Sequence, residues 1–80
     1  MSYAVTINIE VESVEQSIVK EVMEELGWDG NIIDTIGSTV YYEGAGNICM
    51  GTSEMKQEKF IEDAFSKKIG KEVDISIFWS

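Results

Sequence analysis

Tyr3, Val5, Ile7, Ile9 and Val11 are apolar, and Thr6, Asn8, Glu10 and Glu12 between them are polar. This period of two predicts a strand with one buried face. The period then becomes helical: Val14, Ile18, Val19, Val22, Met23 and Leu26 gather on one side of a helix, with the opposite side polar. Ser13 with Gln16 three residues on reads as a capping box, and Gly27 stands where a helix commonly exits through a left-handed residue.

From Trp28 to Gly51 the pattern breaks up. "WDGN" is a turn signal, and "NIIDTI" reads as a short strand that Gly37 and Ser38 interrupt or bulge. "STVYYE" and "NICM" then flank Gly44, Ala45 and Gly46, which predicts a hairpin with a glycine-bearing loop. Thr52 or Ser53 caps a second helix from Glu54 to Ile69, with Phe60, Ile61, Ala64, Phe65 and Ile69 on one side. Lys67, Lys68 and Lys71 surround its C-terminus, where cations suit the helix dipole, and Gly70 ends it. Alternation returns in Val73, Ile75, Ile77 and Trp79 against Asp74, Ser76 and Ser80; Phe78 is the apolar exception.

Strand, helix, hairpin, helix, strand predicts one α+β domain over residues 1–80 with a ferredoxin-like split βαβ arrangement. Its antiparallel sheet has four strands, with room for a fifth at Gly37, and both helices cover one face. The two terminal strands are expected to be neighbours or nearly so, each turning its odd-numbered residues toward the helices. Trp28, Trp79, Tyr3, Phe60 and Phe65 are expected in the core or at its edge, whereas the adjacent Tyr41 and Tyr42 must point to opposite faces.

Charge changes this picture from a fold to a surface. The net charge is -9, and ten acids against Lys20 alone place all of it between Met1 and Met55, while five acids and five lysines cancel in the remainder. Such a chain lacks the basic clusters that neutralise phosphates, so direct nucleic-acid binding is not expected, and a basic protein is the natural partner. There is no His, Arg or Pro. The usual base for Ser or Cys nucleophiles, the commonest zinc ligand and the bidentate anion clamp are all missing, which argues against an enzyme. The single Cys49 excludes an internal disulfide and reads as a small buried hydrophobe in a reducing compartment. No apolar run approaches a bilayer span and the N-terminus lacks signal-peptide features, so a cytoplasmic protein without membrane contact is expected.

The glycines of "YYEGAGNICMG" do not make a nucleotide motif. A dinucleotide fingerprint needs glycine three positions after Gly46, where Cys49 stands, and no Gly-Lys-Ser or Gly-Lys-Thr follows for a P-loop. "DGNIID" lacks the late Glu of a calcium loop, and no metal or cofactor is expected.

What remains is a row of carboxylates on the first helix, Glu15, Glu21, Glu24 and Glu25, with Asp29 just past its end. Like charges three or four apart cost a helix stability, and a solvated face is the ordinary reading of such a row. The functional reading is a non-catalytic module that docks onto a basic, nucleic-acid-binding protein surface through Glu15, Glu21, Glu24, Glu25, Asp29, Tyr42 and Glu43. By analogy with small acidic proteins of phage and mobile elements, docking would inhibit that partner. The alternative is a small-molecule-sensing or assembly domain that homodimerises through its open sheet face, where Phe78 would anchor.

Overall fold

The computed structural model describes residues 2–49 and 51–80. Six elements form: β1 (Ser2–Glu12), α1 (Gln16–Glu25), β2 (Asp29–Ile36), β3 (Thr39–Cys49), α2 (Glu54–Ile69) and β4 (Ile75–Trp79). The protein is α+β, with two helices and one four-stranded sheet in the order β2-β3-β1-β4, all neighbours antiparallel. No fifth strand occurs among the described residues.

Alternation along β1 has its expected result, since Ile7, Ile9 and Val11 are buried. Ile75, Ile77 and Trp79 of the neighbouring β4 pack against the same core more loosely. Val19, Val22 and Met23 of α1 and Ile61 and Phe65 of α2 join these residues in one cluster, so both helices lie on the same side of the sheet. That leaves the other side without a covering layer.

The second helix starts and ends as expected. Ser53 caps it by accepting from the Lys56 N–H at 3.2 Å, and Gly70 closes it at φ 84°. Gly27 likewise follows α1 at φ 93°. The start of α1 differs. Its N-cap is Glu15, which makes no side-chain cap, while Ser13 sits at φ 58° and donates its N–H to the Ser38 carbonyl. The Gln16 amide reaches Thr35 Oγ1 at 2.5 Å instead of closing a capping box. A contact between the α1 entry and the β2–β3 turn has displaced the local cap.

The larger correction concerns "GAG". β3 runs unbroken from Thr39 to Cys49, and the hairpin turns at Gly37 and Ser38, where Gly37 takes φ 61° at the first central position as a type II′ turn requires. Gly44 and Gly46 lie within the strand, on the helix side. A Cβ on Gly44 would stand 2.7 Å from Tyr42 Cε1, and one on Gly46 would stand 2.6 Å from Trp28 Cε3. These glycines let two aromatic rings lie flat on the strand. Trp28 then reaches Trp79 of β4, with ring centroids 6.0 Å apart and planes tilted by 53°.

Three single-residue expectations fail for related reasons. Phe60 is 56% exposed, because Ile61 and Phe65 hold the centre of the buried face of α2 and Phe60 falls at its margin. Cys49 is exposed because the uninterrupted β3 places it opposite Ser2 on the uncovered side. Tyr3, near the start of β1, is exposed and does not pack against the core cluster.

Candidate functional site

The uncovered face of the sheet is set by register. Ile7, Ile9 and Val11 point to the helices together with their partners Gly44, Tyr42 and Val40, so the residues between them point away. Across β1, β3 and β2 this produces three central rows: Asn8–Glu43–Asn31, Glu10–Tyr41–Asp34 and Glu12–Thr39–Ile36. Thr6–Ala45–Asp29 forms a fourth, and Phe78 of β4 stands beside Asn8.

A bulge makes β2 contribute more to this face than simple alternation allows. Ile32 pairs with Tyr42 and Asp34 with Tyr41, leaving Ile33 unpaired between them. The extra residue reverses the parity of the strand. Asp29 and Asn31 before it and Asp34 and Ile36 after it therefore share the open face. Without the bulge Asp34 would turn toward the apolar core.

Five carboxylates thus project from the strands on one side: Glu10, Glu12, Asp29, Asp34 and Glu43. No lysine lies in any strand; all six are in α1, α2 or the turn after α2. Neighbouring strands are about 4.8 Å apart, so Glu10 and Asp34, with Tyr41 between them, are separated by roughly 10 Å. That is about one Debye length at 0.1 M salt, so the carboxylates act on each other and on an approaching partner as a common field. Glu12 is held in place by the hydroxyls of Ser38, at 3.0 Å, and Thr39, which both donate to its carboxylate. Asp34 Oδ1 accepts from the Thr35 N–H at 2.8 Å.

The residues expected to form one docking site divide between two sides of the molecule. Glu15, Glu21, Glu24 and Glu25 are exposed on α1 in the helical layer. Asp29 and Glu43 belong to the sheet face. The α1 row is also less negative than its sequence, because Lys68 of α2 lies 3.3 Å from Glu21 and 3.8 Å from Glu25, and Lys20 lies 4.0 Å from Glu24.

Tyr42 must be removed from any docking set. Its side chain is 0% exposed and lies over Gly44 and Gly30 on the helix side, so it cannot touch a partner. Tyr41 is the tyrosine that faces outward. The Tyr42 hydroxyl is buried without a hydrogen-bond partner, and burial pushes its pKa above 10.0, with Asp29 and Glu24 adding to the shift. With β3 broken at "GAG" the sequence favours Tyr42 over Tyr41 as the outward tyrosine, and simple alternation along β2 hides Asp34, which only the bulge at Ile33 turns outward. Read as one strand, Thr39, Tyr41, Glu43 and Ala45 alternate with Val40, Tyr42, Gly44 and Gly46, and the outward set is legible.

On the helical side a groove of about 350 Å³ opens between the end of α1 and α2, lined chiefly by apolar side chains and floored by Trp28. Among the described residues no group of three potential metal ligands comes together, and no helix is long and apolar enough to cross a membrane. Set against models of known protein families and against curated proteins, the chain matches none.

Proposed function

We propose that the protein is a non-catalytic docking module whose open sheet face binds a basic surface of a partner protein. The observation that carries this reading is the separation of charge: five strand carboxylates face outward, and every lysine is elsewhere. A sheet face presenting carboxylates among amide, hydroxyl and aromatic groups offers the sign and the hydrogen-bond acceptors that a phosphate-binding surface is built to receive. Occupation of a nucleic-acid-binding surface, with inhibition of the partner as its consequence, is the specific form of the proposal. Tyr41 and Phe78, the latter 50% exposed, supply anchoring area within the charged field.

The same observation weighs against homodimerisation through this face. Two copies brought together sheet to sheet would oppose carboxylates with no cation to separate them. For the fold, the element order and the strand order β2-β3-β1-β4, read from the other edge as β4-β1-β3-β2, support a ferredoxin-like reading. In that reading β3 inserts between β1 and β2, and β4 lies outside β1, as a split βαβ arrangement would have them.

The test compares proteins captured from host lysate by the wild-type chain, by E10Q/D34N/E43Q and by E21Q/E24Q/E25Q, at about 0.05 M and 0.5 M salt. The expected result is a basic partner lost by the sheet variant, retained by the helix variant, weakened by salt and displaced by added nucleic acid. Undiminished capture by the sheet variant would exclude the proposed face.

A further inference from the structure

The groove beside α2 has a different electrostatic character from the rest of the molecule. α2 contains four acids, Glu54, Glu58, Glu62 and Asp63, and four lysines, Lys56, Lys59, Lys67 and Lys68, so the helix is neutral and the remainder carries the whole of the -9 charge. Two copies of a strongly acidic chain approach with least repulsion where each is neutral. The groove lies at that place. Its floor is Trp28, its walls include Leu26, Phe60 and Ala64, and Asp63 and Lys67 stand on its rim.

From this neutrality, and from the way the groove can complement itself, we infer that its occupant is a second copy of the chain, bound two-fold with the α2 helices antiparallel. Phe60 serves as the knob: it belongs to the wall of the groove, is more than half exposed, and can enter the opposite copy beside Ala64, a small residue that permits close helix approach. Asp63 and Lys67, one helical turn apart and without an ion-pair partner among the described residues, exchange partners across the axis. In a two-fold interface each such contact is made twice. An 80-residue chain with a small core gains stability from the added burial. Because the dimer uses the helical layer, both acidic sheet faces remain outside, and the inference does not depend on what those faces bind.

The test is the mass of the full chain in solution, by sedimentation equilibrium and light scattering from about 1 μM to 1 mM, with far-UV circular dichroism to verify folding. The expected species has twice the 9.0 kDa chain mass. F60E alters an exposed side chain, so it should fold and raise the dimer Kd about tenfold or more. D63K and K67D should each weaken the dimer by a similar factor, and the double variant D63K/K67D should restore it, because both reversed pairs are again complementary. A monomer throughout the range overturns the inference. So does a dimer insensitive to F60E, or a double variant that stays as weak as the single ones.

Discussion

The two faces of the sheet are built from alternate residues of the same strands, yet they obey opposite rules. On the helix side shape decides: Tyr42 fits because Gly44 and Gly30 lack side chains, and Trp28 fits because Gly46 does. On the open side charge decides, with carboxylates distributed across β1, β2 and β3 and no cation among them. Neighbours in sequence should therefore respond very differently to the same substitution.

The largest contrast is expected between two phenylalanines. Phe65→Ala empties a fully buried site and should cost about 3–5 kcal/mol, whereas Phe78→Ala on the open face should stay within about 0.5 kcal/mol. Urea midpoints of the two variants measure this, and similar losses would mean that the open face is covered in solution. Next come Gly46→Val and Ala45→Val. A Cβ at position 46 meets the Trp28 ring at 2.6 Å, so the first should cost about 1–3 kcal/mol or more, while the second should be nearly neutral. Equal tolerance at both positions would remove the ring-on-glycine account of β3.

Tyr42→Phe sharpens the comparison in the other direction. It deletes a buried hydroxyl that has no partner and should stabilise the fold by about 1 kcal/mol, while Tyr41→Phe changes little. It should also alter the response to alkali. The raised pKa of Tyr42 means that the folded state favours the protonated phenol. Its contribution is complete below pH 10, and is lost as pH rises past the unfolded value toward and through the folded one. Wild type should therefore lose more stability than Tyr42→Phe as the pH rises above about 10. Parallel curves would dissociate the hydroxyl from the alkaline transition.

The smallest effect belongs to the charged side. Two carboxylates roughly 10 Å apart in water repel by about 0.4 kcal/mol before screening. The Tm of the wild type should rise modestly from about 0.05 M to 0.5 M salt, and E10Q/D34N/E43Q should flatten that rise. A Tm of the wild type that does not respond to salt would show that these charges do not act as a common field.

Elements with local causes were legible in the sequence. Ser53 and Gly70 bound α2 through contacts within a few residues, and the alternation of β1 assigns its faces without reference to any other segment. Elements with distant causes were not. The capping box at Ser13 yields to a hydrogen bond that Ser13 donates to a turn twenty-five residues away in sequence. The glycines at 44 and 46 resemble a loop until the ring of Trp28 and that of Tyr42 are known to lie on them.

The carboxylate row of α1 follows the same division. Its acids are plain in the chain, but the lysine that accompanies Glu21 and Glu25 arrives from α2. Periodicity, the caps of α2 and net charge were determined by the sequence alone, because each depends on residues one or two turns apart or on a simple total. Tertiary structure decided which carboxylates share a face, which tyrosine is buried and where the groove opens. Those outcomes depend on register, on a one-residue bulge and on helix packing, all of which join residues that are remote along the chain.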